Sequence, residues 1–192
     1  DNTAVGANSL DANTTGQGNN AIGKNALGVN TTGSYNQAIG RECLDANTSG
    51  EMNVGVGHAS LSDNTTGSRN DNTTSSDNTA VGHNALKLNT ANNNTALGRS
   101  ALAVNTTGTS NVAVGVNALD ANTTGTGNIS IGRSSLSANT TGEYNVAVGH
   151  DALKTNTSGI YNVAIGRAAL GLNQTANNNT AVGYYALLSN TT

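Results

Sequence analysis

The run from Asn111 to Gly127, NVAVGVNALDANTTGTG, decides how this chain folds. The 17 residues that follow it, NISIGRSSLSANTTGEY from Asn128 to Tyr144, repeat it almost position for position. Working outward from Gly115, the glycine that follows Val or Ile (once Leu97) recurs at 6, 23, 40, 57, 82, 98, 115, 132, 149, 166 and 183. The spacing is 17 residues except for one of 25 after Gly57 and one of 16 after Gly82. With this glycine as column 0, the repeat reads N-x-A-V/I-G-x-x-A/S-L-x-x-N-T-T-G-x-x. Column −4 is always Asn, including Asn36, Asn111 and Asn145, and column +4 is always Leu, including Leu44, Leu119 and Leu153. Column +7 is again always Asn, from Asn13 to Asn190, and column +3 is always Ala, Ser or Cys.

A 17-residue unit is too short for a helix-turn-helix repeat, and Asn, Thr and Gly are poor residues for a helix interior. Apolar segments of three or four residues bounded by Gly and Asn read as short strands and corners. The expected fold is therefore all-β: a parallel β-solenoid of eleven 17-residue coils, one repeat to a coil, forming a single domain over residues 1–192. At roughly 4.8 Å per coil the rod is about 50 Å long. The Leu column stacks inside the coil, the Val/Ile at column −1 forms a second apolar ladder, and column +3 marks a tight spot in which Cys43 is a small buried filler. The two Asn columns form ladders between coils and tolerate left-handed backbone at the corners, with Gly relieving side-chain cost there. The extra residues of the long spacing fall near 70–77 (NDNTTSSD), a polar stretch expected to loop into solvent. The short spacing lies in the corner at Thr90–Asn93.

Composition agrees with a scaffold that reuses few residue types. The chain has 33 Asn, 27 Thr and 24 Gly among 192 residues, and Leu, Ile and Val together number 34. That aliphatic share is low for a conventional globular core, while the 10% of charged residues and the absence of Pro are unlike a disordered segment. No apolar run is long enough for a membrane span. A net charge of −3 disfavours a nucleic-acid partner. A single cysteine allows no intrachain disulfide, and neither metal-ligand spacing nor a phosphate-binding loop occurs, so no cofactor and no enzymatic activity are expected. No signal-peptide pattern precedes Asp1 and no polar capping unit is evident, although solenoids normally need one. The expectation is a segment of a longer protein, or a unit that stacks end to end.

Along the strand, columns −3 and −1 share one face and column −2 points the other way. Column −2 is nearly always Ala, and column −3 becomes Val112, Ile129, Val146 and Val163, so both faces are apolar in the second half. A strand of that kind is normally covered on both sides. One face packs within its own coil, and the other asks for a partner, most simply another copy of the chain.

The array N-x-A-V/I-G-x-x-A-L resembles the head repeat of trimeric autotransporter adhesins (YadA-like), and more closely the NTAVGxxALxxNTTG arrays of phage and viral tail fibres. The resemblance runs through all eleven repeats. It implies a homotrimer of left-handed coils serving as a structural shaft or head of an extracellular attachment fibre, on a virion or a bacterial surface, with a host cell-surface glycan or receptor as a possible target. The adhesin repeat is typically shorter, the extra residues here falling in the NTTG corner, and the shared positions are scaffold positions that carry over no ligand residue.

Column +1 collects Lys24, Arg41, His58, His83, Arg99, Arg133, His150 and Arg167. On a solenoid they form one line, read either as an anion- or glycan-binding stripe that strengthens in mildly acid solution as its histidines protonate, or as a solvated edge. A third reading is a seam of ion pairs between subunits through Glu42 or Asp151. Tyr35, Tyr144 and Tyr161 share column +12 and could serve a glycan-binding module. The Thr pairs at +8 and +9 raise ice binding, against which stands corner hydrogen bonding by the hydroxyls. N-x-S/T sequons at Asn13, Asn30, Asn122 and Asn139 follow from the Asn ladder itself.

Overall fold

The computed structural model describes residues 1–62 and 75–190. Among these, eleven strands of three residues each occupy columns −3 to −1. They are β1 (Thr3–Val5), β2 (Asn20–Ile22), β3 (Gln37–Ile39), β4 (Val54–Val56), β5 (Thr79–Val81), β6 (Thr95–Leu97), β7 (Val112–Val114), β8 (Ile129–Ile131), β9 (Val146–Val148), β10 (Val163–Ile165) and β11 (Thr180–Val182). They lie in chain order in one parallel sheet, each column pairing with itself in the next strand, as Ala113 pairs with Ser130 and Val114 with Ile131. The protein is a β-solenoid of stacked coils, as the repeat length predicts.

The strand's two faces are used unequally. Column −2 points inward: Ala21, Ala38, Ala80, Ala96, Ala113, Ala147 and Ala164 are fully buried. Columns −3 and −1 point outward, leaving Ile22, Ile39, Leu97, Ile131 and Ile165 each about 40–50% exposed. The second apolar ladder thus runs along the outside of the coil. The interior is narrow. It holds the Leu stack from Leu27 to Leu170, including Leu44, Leu119 and Leu153, with the small column +3 residues beside it. A core one leucine wide needs no aromatic residue, which explains the low aliphatic content.

The rest of each coil is a series of turns rather than a strand, and it departs from expectation in where the left-handed residues fall. The Asn ladder columns are not left-handed. Column +2, and the Leu column itself at φ of 48–53°, are. An L-residue there costs roughly 1 kcal/mol or more. The cost is tolerated because these backbone groups are tied to both neighbouring coils: Asn117 N–H donates to Arg99 O at 3.0 Å and Leu119 N–H to Ser135 O at 3.0 Å. Column 0 needs glycine on two counts. Its φ of 127–142° lies in a region that glycine alone occupies readily, and a Cβ on Gly6 would sit 2.6 Å from Gly23 O of the next coil.

The Asn columns form the expected ladders, buried from Asn19 to Asn173. Asn128 N–H donates to Asn111 Oδ1 at 2.9 Å and its amide nitrogen donates to Gly142 O at 2.8 Å. Its own Oδ1 accepts from the backbone N–H and amide of Asn145 at 3.0 and 3.1 Å. Asn36 bonds to Asn19 in the same way. A second ladder runs through Asn105, Asn122 and Asn139, each amide also closing its own corner on the glycine three residues on. In the short coil Ala91 O takes the place of that glycine carbonyl, accepting from Asn78 at 2.9 Å and Asn89 at 2.6 Å, so the missing residue is one of the Thr pair.

Of the expected loop at 70–77, residues 70–74 lie outside the described residues. Ser75 to Asp77 belong to the coil: Asn53 donates to Ser75 O at 2.9 Å, and Asp77 N–H donates to Glu51 O at 3.2 Å.

Candidate functional surfaces

Two surfaces carry residues singled out from the sequence, and a third is defined by the structure. The first is the outer sheet face. Columns −3 and −1 of all eleven strands contain no charged residue, and column −1 is aliphatic throughout. Strands spaced about 4.8 Å apart, each about 10 Å long, give a patch on the order of 500 Å². That is at the size where an exposed apolar patch marks an interaction site. Its N-terminal end is more polar, with Asn20 donating to Gln37 Oε1 at 2.7 Å across β2 and β3.

The second is the column +1 line. Lys24, Arg41, His83, Arg99, Arg133 and Arg167 are exposed, and His58 and His150 are half-buried. The structure breaks the line into local pairs. Arg41 Nη2 lies 2.7 Å from His58 Nε2, and His58 stacks on His83 with ring centroids 5.2 Å apart. Arg133 donates to His150 Nε2 through Nε at 3.0 Å, which requires that nitrogen to be unprotonated. Arg167 lies 5.8 and 5.7 Å from the ring centroids of Tyr184 and Tyr185. The acidic neighbours act within the chain: Glu42 Oε2 is 3.3 Å from His58, and Asp151 Oδ2 is 3.4 Å from His150 Nδ1. Much of the stripe's charge is thus already engaged by residues of its own rod.

The tyrosines of column +12 are about half exposed, but Tyr144 and Tyr161 stack on each other, with centroids 5.4 Å apart and planes 6° from parallel. One ring face of each is therefore occupied within the pair. The Thr hydroxyls of column +8 bond to the same corner of the next coil, Thr123 Oγ1 donating to Thr140 O at 3.0 Å and Thr140 Oγ1 to Thr157 O at 3.1 Å. The sequon amides of Asn30, Asn122 and Asn139 are buried in their ladder, so in the folded chain no glycan can attach there. Cys43 is fully buried, and burial pushes its thiol up to about 12.

The third surface was not legible from motifs. A cleft of about 270 Å³ opens over coils nine to eleven, between Asp151 and Lys154 on one side and Tyr185 and Leu188 on the other. Its sequence signal is a large-small-large pattern in columns +2 and +5: Asp151 and Lys154, then Ala168 and Gly171, then Tyr185 and Leu188.

Fold and surface together define a parallel β-solenoid repeat protein with one uncharged apolar face. No known protein family, curated protein or solved structure matches the chain.

Proposed function

We propose that this chain is a non-enzymatic structural segment, a shaft or head, of an extracellular attachment fibre in which three copies pack their sheet faces around a common axis. The observation that supports the reading is the uninterrupted aliphatic column −1 from Val5 to Val182, each residue exposed or half-buried on the outer face of one sheet. Eleven solvent-facing aliphatic side chains in one line are costly for a lone rod and suit an interface between copies. Three is the number that the likeness to adhesin heads and tail-fibre arrays implies. Buried Asn ladders and a backbone bonded coil to coil suit a stiff, protease-resistant rod.

The test is absolute molar mass by light scattering on a size-exclusion column. A mass of about 57 kDa, three times the 19.1 kDa of one chain, is the expected result. A monodisperse monomer at micromolar concentration overturns the reading. In that case the regular sheet face, with Thr3, Thr79, Thr95 and Thr180 among its aliphatics, becomes a surface for ordered water, and thermal hysteresis is the measurement to make.

A further inference from the structure

The outer sheet face repeats in every coil, and repetition leaves open how two copies would meet. Column −1 is aliphatic in all eleven strands, so a neighbour shifted by one coil, or running the opposite way, finds the same surface there. Column −3 differs from coil to coil. It is Val or Ile in β4 and in β7 to β10, Thr in β1, β5, β6 and β11, and an amide only at Asn20 in β2 and Gln37 in β3. Both amides are half-buried. Asn20 Nδ2 donates to Gln37 Oε1 at 2.7 Å, which holds the two heads together. That bond leaves out Asn20 Oδ1, an acceptor, and Gln37 Nε2, a donor. The pair is therefore complementary to a second copy of itself.

Burial of this face between copies takes water away from the pair. Each amide then needs a partner in the facing copy, because a buried polar group without one carries a desolvation penalty. Parallel copies in register bring the pair to the same height in each, where Gln37 Nε2 of one copy can donate to Asn20 Oδ1 of the next. A closed ring of copies uses every such donor and acceptor once. A slip of two coils instead sets Asn20 against Val54 and Gln37 against Thr79, and a staggered contact of that kind does not close. Antiparallel copies at full overlap set the same two residues against Val163 and Val146. Thr on this face discriminates less, since it carries a methyl group beside its hydroxyl.

We propose that Asn20 and Gln37 set the register and the parallel orientation in which copies of this chain assemble. This rests on the sheet face being the contact between copies, and names the residues that choose among otherwise equivalent contacts. A single polar residue in an apolar seam does the same in coiled coils, at a cost in stability.

The test is the distance between nitroxide labels on Thr15→Cys, an exposed position outside the strands, read by pulsed electron paramagnetic resonance. Cys43→Ala in the same chain leaves one thiol to label. Molar mass by light scattering is measured alongside. With the amides in place, one narrow distance is expected. The paired change Asn20→Val and Gln37→Val gives β2 and β3 the residue that column −3 already carries in β7 and β9, so the coil is kept. It is expected to assemble still, with a broad distribution. Slipped copies displace the labels along the rod by multiples of about 4.8 Å, and antiparallel copies by about 48 Å, the height of ten coils. The exchange of Asn20→Gln with Gln37→Asn keeps an amide pair and is expected to keep the single distance. A single narrow distance in the Val variant overturns the proposal, as does a broad distribution with the amides in place. A Val variant of single-chain mass overturns it too, because the amides would then supply the association and not its register. Single-chain mass with the amides in place removes both this proposal and the sheet-face contact. An assembled Val variant with one narrow distance removes the register proposal alone.

Discussion

At the scale of single residues, the interior is tight enough for one side chain to dictate another. Column −2 is Ala in most coils but Gly55 in the fourth. A Cβ on Gly55 would sit 2.5 Å from Cys43 Sγ, because column +3 of the preceding coil carries sulfur where others carry Ala or Ser. Gly55→Ala is therefore expected to destabilise by about 1–3 kcal/mol, the usual cost of overpacking. In a Cys43→Ala background it becomes neutral or stabilising, since Ala101 and Ala113 show the same columns filled by two alanines. A double-mutant cycle by thermal unfolding measures the coupling, and additive effects would contradict it. Cys43 also links stability to pH. Its thiol ionises near 9.0 ordinarily and near 12 when buried. The unfolded chain thus loses that proton first as pH rises, and stability falls between those values at up to about 1.4 kcal/mol per pH unit. Melting temperature followed from pH 8 upward is expected to drop more steeply for the natural chain than for Cys43→Ala.

At the scale of the coil, hydrogen-bonded ladders carry what a wide hydrophobic core carries elsewhere. The Leu turns and the NTTG corners are not strands, yet their amides reach the neighbouring coils in the same register as the sheet. Asn128→Ala would leave the Asn145 backbone N–H without its partner in the interior, while Gly142 O keeps the Asn139 amide and the Asn145 amide keeps Gly159 O. A buried unsatisfied group costs roughly 1–3 kcal/mol, so a loss of about 1–3 kcal/mol is expected. Thr124→Ala, at an exposed corner, is the control that should change stability little. Equal melting temperatures for the two variants would show that the ladder is dispensable.

At the scale of the whole molecule, each coil touches only its neighbours, as in other one-dimensional stacks, and the outer sheet face is what the stack presents to a partner. Val148→Lys places a cation in the middle of that face without touching the interior, because Val148 points outward from β9. The expected result is a fall in molar mass to that of the single chain with the β-sheet circular dichroism unchanged. An unchanged mass would mean that the face is not where copies meet. The column +1 line belongs to this scale too, although its pairing of Arg41 with His58 and of Arg133 with His150 makes it a set of local contacts.

The repeat itself determined the coil, the parallel register, the Leu stack and the two Asn ladders. In a solenoid every contact recurs one repeat further along the chain, so the three-dimensional neighbours of Leu119 or Asn111 are visible as columns in one dimension. Tertiary structure decided what the columns leave open. A strand with Ala on one face and Val or Ile on the other is apolar either way, and only the narrowness of the interior puts Ala inside and the larger residues outside. Left-handed backbone fell to the Leu column and to column +2, where Asn8, Asn25, Asn84 and Asn117 adopt it, rather than to the Asn of the ladders. The Cys43 and Gly55 fit, the paired stripe and the cleft over the last coils depend on side chains from successive coils meeting at particular distances. Column spacing records which residues are neighbours, and not how closely they approach.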